Sequence, residues 1–255
     1  MSDAVPLDQW ADVLEAIATE STFFNRVVVL AETDSTQEAC RLLGSEAGLV
    51  VAAGRQLSGR GRQGRTWLDT RDQGVAMSFV LRDPGGVLPL AAPVATALAL
   101  ESITNIPMAL KWPNDVLVGS QAGVLSGRKL AGILIERTEG VSIVGIGINV
   151  GQEQWPEALS QRAASLRQLG CEVERIRVCQ LLLQELDHRL NDPLLKLRDH
   201  WADRDALRGQ QVTVTAGKQK HEGIVAATDP TGTLRLVSDG QVLELDSATA
   251  TIVPL

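Results

Sequence analysis

The sequence predicts an α+β protein in which a mixed β-sheet packed with helices is followed by a small C-terminal β-barrel. Before Trp201, short runs of β-branched residues alternate with segments of helical periodicity, which is typical of a body built from a sheet and helices. After Trp201, short β runs follow one another closely and are separated by turn-forming residues, as in small barrels. We place the boundary near Gly209, which gives two units, residues 1–207 and 208–255.

The helices of the first unit are predicted from the spacing of apolar residues. Between Arg175 and Leu190 these residues recur three and four positions apart, which indicates an amphipathic helix. A segment rich in Ala and Leu predicts a buried helix, with Pro93 tolerated in its first turn. Ser35 and Glu38 have the spacing of a capping box at the start of another helix. The predicted helices are residues 7–18, 36–43, 90–103 and 175–190.

Strands are predicted where β-branched residues cluster between turn formers. From Gly145 to Asn149, glycine alternates with β-branched residues, which indicates a strand against which another group packs closely. The predicted strands of the first unit are residues 27–30, 49–53, 75–81, 132–136 and 142–149. Those of the second unit are residues 212–215, 222–226, 234–237 and 242–245.

The composition excludes several classes of protein. A formal net charge of −7 over 255 residues opposes broad, non-specific nucleic-acid binding, which needs a surplus of Lys and Arg. No apolar run approaches the roughly 18 residues of a membrane-spanning helix, and no secretory signal is visible. The cysteines (Cys40, Cys171 and Cys179) are scattered, unlike those of a disulfide framework or a zinc site. We therefore expect a soluble, cytoplasmic protein.

The most unusual segment is a stretch rich in glycine and arginine, which we call the arginine loop, residues 58–66. Five arginines and a single acid, Asp69, lie from Arg55 to Arg71 in a chain that is acidic overall. Such an island of positive charge favours a polyanion or a carboxylate as ligand. The glycines permit close approach of the backbone, and we expect the loop to stay disordered until an anion neutralises it.

Two nucleotide-binding motifs overlap in this loop, and neither fits its context. Gly59, Gly61 and Gly64 match the dinucleotide pattern G-x-G-x-x-G, which needs a following helix, whereas residues 66–74 lack helical periodicity and lead into a strand. A phosphate-binding P-loop also needs that helix, and Arg65 would replace its lysine. The arginine loop therefore predicts an anion site of another kind.

Taken in order, five segments of the sequence resemble one family, the biotin–protein ligases (biotin–[acetyl-CoA-carboxylase] ligases). Each segment is weak by itself, but together they have the order found in the family, and the trailing barrel also matches its layout. The segments are residues 35–37 (STQ), 59–67 (GRGRQGRTW), 111–115 (KWPND), 128–136 (RKLAGILIE) and 147–149 (GIN). The resemblance implies the biotin/lipoate ligase-like fold, with an SH3-like barrel at the C-terminus.

The resemblance also implies an activity. The family activates biotin with ATP and Mg²⁺ to give biotinyl-5′-AMP, and then transfers the biotinyl group to one lysine of a biotin carboxyl carrier protein, a subunit or domain of acetyl-CoA carboxylase. Such a site must hold two anions together and stabilise the charge that develops in the transition state. A loop rich in arginine and a lysine at the start of a strand suit that task.

Matching positions carry the roles of the family over to this chain. The resemblance implies that Lys129 bridges the carboxylate of biotin and the α-phosphate, and that Arg60 and Arg62 act with it in catalysis. The residues implied to contact biotin are Ser35, Thr36, Gln37, Gln56, Arg60, Gly61, Arg62, Lys129 and Gly132. Those implied on the ATP side are Arg65, Asn114 and Asn149. From its place beside Asn114, we predict that Asp115 orients the attacking lysine of the carrier; no metal ligands are predicted.

The sequence departs from the pattern of the family at both ends. Few residues precede Thr33, and they leave no room for the winged helix-turn-helix of members that also repress the biotin operon, so we expect no binding to DNA. Residues 247–255 contain no Arg or Lys, whereas the family often ends its barrel with an arginine directed at the ATP phosphates. A homodimer formed by pairing of edge strands is compatible with the sequence, although no feature requires it.

Two alternatives remain open. A lipoate ligase-like enzyme would share the fold and the adenylation chemistry, although the arginine loop and residues 111–115 favour biotin. A non-catalytic biotin-binding protein would need no second anion site, and Lys129 beside the arginine loop argues against it. Release of pyrophosphate on addition of biotin and ATP separates these hypotheses.

Overall fold

The computed structural model describes residues 5–68, 72–82, 86–138, 140–217, 219–247 and 249–253. It contains a seven-stranded mixed sheet packed with helices and a five-stranded antiparallel sheet near the C-terminus, which confirms the predicted α+β class. Asp69 and Arg71, which belong to the positively charged island of the sequence, lie outside the described residues.

The helices and strands follow the predicted pattern over most of the chain. The helices are α1 (Trp10–Ala18, after a 3₁₀ turn at Leu7–Gln9), α2 (Thr36–Leu42), α3 (Leu88–Thr104), α4 (Arg175–Leu190) and α5 (Leu194–Ala202). The strands of the larger sheet are β1 (Arg26–Thr33), β2 (Leu49–Gln56), β3 (Gly74–Leu81), β4 (Met108–Lys111), β5 (Asp115–Val118), β6 (Lys129–Thr138) and β7 (Val141–Asn149). Those of the smaller sheet are β8 (Gln211–Ala216), β9 (Gln219–Asp229), β10 (Thr233–Ser238), β11 (Gln241–Asp246) and β12 (Ala250–Val253).

The larger sheet has the strand order β1-β2-β3-β7-β6-β5-β4. Strands β1 and β2 run parallel because α2 crosses over between them, and the remaining neighbours pair antiparallel. Successive residues of a strand face opposite sides of the sheet. Val50 and Ala52 of β2 therefore lie in the main core, under α1, α3 and α4, whereas Leu49 and Val51 lie under α2. The short helix α2 leaves room on its own side of the sheet, and the functional cleft lies there.

Helix α3 is buried along most of its length, as expected of a helix that is apolar on every side. It begins at Leu88, earlier than predicted, so Pro93 lies in the second turn and the prediction that it lies in the first turn is wrong. Proline cannot donate to the carbonyl of Pro89, one turn before it. The packing of this buried helix against the sheet, α4 and α5 outweighs that lost hydrogen bond.

The smaller sheet has the strand order β11-β10-β9-β8-β12. Its inward residues, among them Val212, Val225 and Leu234, belong to the same apolar cluster as the core of the larger sheet, so the core is continuous. Strand β8 begins at Gln211, next to the predicted boundary. The division into residues 1–207 and 208–255 stays a prediction.

Candidate active site

A cleft on the α2 side of the larger sheet brings most of the predicted site residues together. Its cavity volume is about 220 Å³. The start of α2 and the end of β2 form one wall, the arginine loop forms another, β6 and β7 form the floor, and β12 lies at the edge. The predicted residues that line the cleft are Ser35, Thr36, Gln37, Gln56, Arg60, Gly61, Arg62, Arg65, Asn114, Asp115, Lys129 and Gly132.

Glycines on β6 and β7 make the floor of the cleft. A Cβ atom added at Gly145 would lie 2.8 Å from the side chain of Gln37, and one added at Gly147 would lie 2.6 Å from the ring of Trp67. Gly132 pairs in register with Gly147, and a Cβ atom there would lie 3.0 Å from the same ring. The close packing predicted from the alternating glycines is therefore confirmed.

Lys129 is the cation at the centre of the cleft. Its Nζ lies 2.6 Å from Oδ1 of Asp115, at the start of the neighbouring strand β5. The same ammonium lies 5.3 Å from the ring centroid of Trp67, within the range of a cation–π contact. One carboxylate and one aromatic face thus hold the ammonium in place, and its remaining donors are available to a ligand.

A β-bulge at the start of β6 aims Lys129 into the cleft. Val116 of β5 lies opposite Ala131, but the next residue, Leu117, lies opposite Lys129, so Leu130 is the extra residue. Leu130 and Ala131 are both buried in the main core. Regular alternation would send only one of them there and would turn Lys129 towards the core. The bulge instead places the ammonium on the side of the glycine floor.

Gln56 organises the wall that α2 contributes. Its Oε1 accepts hydrogen bonds from the backbone N–H of Thr36 at 2.9 Å and from its hydroxyl at 3.1 Å. The predicted capping box is wrong, because the side chain of Ser35 makes no cap bond and Glu38 pairs with an arginine instead. The buried Gln37 donates from Nε2 to two backbone carbonyl oxygens. This wall is therefore a set of mostly buried polar groups, fixed by hydrogen bonds to one another and to the backbone of β6 and β7.

The arginine loop closes on itself through backbone hydrogen bonds. The N–H of Gly61 donates to the carbonyl of Arg65 at 2.7 Å, and that of Trp67 donates to the carbonyl of Gly59 at 2.9 Å. At the tip, Gln63 has a φ of 56°, in the left-handed region. The loop thus forms a tight turn over the mouth of the cleft.

The C-terminal sheet holds the tip of the loop. Arg62 donates to the backbone carbonyl of Ser247, and Thr251 of β12 donates to Oε1 of Gln63 at 3.0 Å. Burial lowers the pKa of the Arg62 guanidinium, and nearby carboxylates, Asp115 first, oppose this effect. A partly desolvated cation of this kind is stabilised when an anion binds beside it.

The corner between β4 and β5 supplies Lys111 and Asn114 to the cleft. Asn114 donates from Nδ2 to the carbonyl of Ile133 at 2.8 Å, which fixes its side chain against β6. Asn149 does not line the cleft: it is buried, and its Nδ2 donates to the carbonyl of Lys129 at 3.3 Å. Asn149 therefore supports the strand end that carries Lys129 from behind.

Residues 29–153 match the sequence model of the biotin/lipoate A/B protein ligase family. A biotin–[acetyl-CoA-carboxylase] ligase of Mycobacterium tuberculosis is 32% identical over 256 residues, which cover 93% of this chain and 92% of that protein. The chain belongs to the biotin–protein ligase family.

Two further relatives of this biotin–protein ligase family member agree with that placement. A bifunctional ligase/repressor BirA of Bacillus subtilis is 35% identical over 178 residues, which are 64% of this chain. This chain spans about half (52%) of that relative's length. The structure of the biotin protein ligase from Aquifex aeolicus in complex with biotin and ATP superposes with a TM-score of 0.78 at 30% identity, and covers 90% of this chain and 99% of that chain. These matches confirm the resemblance found in the sequence and the fold class that it implied, and the five-stranded C-terminal sheet is consistent with an SH3-like unit.

The cleft of this biotin–protein ligase family member also contains groups to which the sequence analysis assigned no role. They are Trp67, which lies over the glycine floor, Lys111, and β12 at positions 250–252. Trp67 and Lys111 stand in matched segments, so their residue types were a signal. The sequence of strand β12 carried no such signal, because its contribution to the cleft depends on where the smaller sheet packs.

The biotin–protein ligase cleft has one carboxylate, Asp115, among the described residues that line it. Within the same part of the chain, no group of three His, Cys, Asp or Glu is placed to hold a metal ion. Magnesium normally keeps few protein ligands and takes the rest from phosphates and water, so this lining fits a magnesium ion that enters with ATP. No helix of the described residues is long and apolar enough to span a membrane.

Proposed function

We propose that this protein is a biotin–[acetyl-CoA-carboxylase] ligase that biotinylates a biotin carboxyl carrier protein. In the first step, a carboxylate oxygen of biotin attacks the α-phosphorus of ATP, and the P–O bond to pyrophosphate breaks. In the second, the amine of a carrier lysine attacks the carbonyl carbon of biotinyl-5′-AMP, and AMP leaves. The observation that carries the proposal is the ammonium of Lys129, held 2.6 Å from Asp115 between the glycine floor and the arginine loop.

Lys129 supplies the main electrostatic stabilisation of the transition state in the first step. Two anions, the carboxylate of biotin and the α-phosphate, repel each other as they approach, and a fixed ammonium between them offsets that repulsion. The strand end, the bulge and Asp115 hold this ammonium before any substrate binds, so little reorganisation is needed during reaction. Arg60, Gly61 and Arg62 belong to the loop that closes over the same anions.

The wall of buried polar groups supports biotin as the acid. Ser35, Thr36, Gln37 and Gln56 present donors and acceptors that suit the ureido ring of biotin. The dithiolane ring of lipoate offers no equivalent hydrogen bonds to these groups. A site built to bond a polar ligand strongly rejects an analogue without those groups. Biotin is therefore favoured over lipoate.

Arg65 and Asn114 line the end of the cleft that we assign to the nucleotide. Asn149 supports this end indirectly, through its hydrogen bond to the carbonyl of Lys129. The positions at β12 bring no Arg or Lys to the cleft, but Ser247 binds the guanidinium of Arg62. We assign to Arg62 the positive charge at the phosphates that the end of the barrel lacks. Magnesium bound with ATP would neutralise phosphate charge, and among the described residues that line the cleft Asp115 is the carboxylate that would hold it.

The carrier lysine must reach the acyl carbon of the adenylate at the centre of the cleft. Asp115 lies there, with Oδ1 engaged by Lys129, and its carboxylate attracts and orients the incoming amine. The partner is a biotin carboxyl carrier protein, and we propose no DNA partner. A reaction that consumes ATP and three free thiols (Cys40, Cys171 and Cys179) favour a cytoplasmic location.

Biotin-dependent exchange of pyrophosphate into ATP tests the first step. We expect exchange with biotin and Mg²⁺, and at least tenfold slower exchange with lipoate at equal concentration, since the polar wall discriminates by about a factor of ten or more. Addition of an isolated carrier domain should then give a biotinylated lysine by mass spectrometry. Biotin binding without exchange would support the non-catalytic alternative, and faster exchange with lipoate would support a lipoate ligase.

A further inference from the structure

Two carboxylates lie beside the arginine loop, next to Arg60. Glu38 comes from the first turn of α2, and Glu136 comes from β6. Arg41 of α2 lies between them: its Nη1 is 2.9 Å from Oε2 of Glu38, and its Nη2 is 2.9 Å from Oε2 of Glu136. We call these three residues the carboxylate cradle. It links a helix and a strand at the base of the loop.

Arg60 of the arginine loop faces this cradle. Its Nη2 lies 3.6 Å from Oε2 of Glu38 and 3.7 Å from Oε2 of Glu136. Both distances are long for hydrogen bonds but within the range of ion pairs. The close partner of both carboxylates is Arg41. Arg60 is therefore held loosely by two carboxylates whose positions a second arginine fixes.

The charges of the cradle favour this arrangement. Glu38 and Glu136 carry two negative charges and Arg41 carries one positive charge, so a guanidinium at the position of Arg60 makes the group neutral. Burial alone would lower the pKa of Arg41, but its hydrogen bonds to Glu136 and Glu38 hold that pKa above its ordinary value. The cradle thus holds Arg41 in its charged form and attracts a second guanidinium, that of Arg60.

We propose that Arg60 is a positioning residue, whose side chain anchors the arginine loop on Glu38 and Glu136 while the backbone at Gly61 and the side chain of Arg62 meet the reacting anions. This deepens the proposed function and rests on it. The two arginines of the loop then have different partners: Arg60 binds the cradle, and Arg62 reaches the cleft beside the C-terminal sheet. A loose anchor suits a loop that must open for biotin and close over the adenylate, because exposed ion pairs are weak and exchange readily.

A double-mutant cycle tests this assignment. The variants are Arg60→Gln, the pair Glu38→Gln with Glu136→Gln, and all three substitutions together. Arg60→Gln leaves the pairs of Arg41 intact, so it tests the loop even if the cradle pair lowers stability. Glu32→Gln is the matched control, because Glu32 pairs with Arg55 at 3.0 Å on the surface and lines neither the cleft nor the loop.

Two measurements are made on each variant. The first is kcat and KM for biotin in pyrophosphate exchange. We expect KM to rise about three- to tenfold with kcat within about twofold, as for the loss of weak exposed ion pairs that only bias the loop. The second is the rate of tryptic cleavage after Arg62 and Arg65 without substrates, which should rise by a similar factor. The combined variant should show the same KM for biotin and the same cleavage rate as Arg60→Gln, because Arg60 and the two carboxylates form a single anchor.

Additive effects in the combined variant would overturn the proposal, because they would show that Arg60 and the cradle act separately. So would a kcat lowered about a hundredfold by Arg60→Gln alone, the size expected for a direct transition-state contact. Cradle variants that match the control in both measurements would also overturn it. Absence of exchange in the unmodified protein would instead refute the proposed function, and the cleavage rates, which need no catalysis, would still decide the anchor.

Discussion

The floor of the cleft and the arginine loop above it are held in opposite ways. Strand β6 is bonded to β5 and β7, and β7 to β6 and β3, so backbone hydrogen bonds on both sides fix the floor. The arginine loop has a few backbone hydrogen bonds within itself and one at its base to Asp34, weak ion pairs on one side and two contacts to the C-terminal sheet. The fixed element carries Lys129, whose charge is needed in the transition state, and the loosely held element carries the charges that must move. Changes to the floor should therefore affect chemistry, and changes to the loop should affect closure.

Replacement of the ammonium at the floor should have the largest effect. We expect Lys129→Ala to lower the rate of pyrophosphate exchange 10² to 10³-fold, since loss of a transition-state charge contact costs roughly 3–4 kcal/mol. The fold should persist, because Lys129 lies at the start of a strand whose core residues are unchanged; circular dichroism checks this. A rate within tenfold of the unmodified protein would show that the charge is not needed.

The packing of the floor gives the next largest effect. A Cβ atom at Gly147 would lie 2.6 Å from the ring of Trp67, so Gly147→Ala must displace that ring. Overpacking of this kind costs about 1–3 kcal/mol, and urea unfolding measures it. Gly151→Ala is the control, because its Cβ atom would meet neighbours only at 3.6 Å. Equal stability of the two variants would mean that Trp67 moves freely.

Closure of the loop should be visible to a protease. Trypsin should cut after Arg60, Arg62 or Arg65 in the free protein and at least about tenfold more slowly with biotin and ATP, because ligands that bind the closed state stabilise it by mass action. Gel electrophoresis with mass analysis of the fragments gives the rates. Cleavage after Arg198, on helix α5 and outside the lining of the cleft and of the loop, provides an internal reference. Unchanged rates would contradict a loop that closes on ligand.

The contact between the loop and β12 should have the smallest effect. Thr251→Val removes the hydroxyl that donates to Gln63, and the loss of an exposed hydrogen bond of this kind costs about 0.5–1 kcal/mol. We expect KM for ATP to rise about two- to fivefold on the same grounds. Thr251→Ser keeps the hydroxyl and should match the unmodified protein. Equal KM values for ATP in the Val and Ser variants would show that β12 does not contribute to closure of the loop.

The sequence by itself determined the elements whose signal is local. The helix at Arg175–Leu190 and the long β runs follow from apolar spacing, because burying one face is enough to select a helix or a strand. The charge island of the arginine loop and the ordered segments of the family also needed no structure to be recognised. Strands β4 and β12 were not predicted because each has four residues, too few to show alternation.

Tertiary structure decided how these pieces form a site. The carboxamide of Gln56 reaches across from β2 to bond the start of α2, which no local capping pattern predicts. The bulge at Leu130 turns Lys129 from the core face to the cleft, and only the pairing of β6 with β5 creates it. Ser247 meets Arg62 although 185 positions separate them in the chain. Strand register and the docking of one sheet beside another set all of these contacts, and they arise from the packing of the whole core rather than from any segment of it.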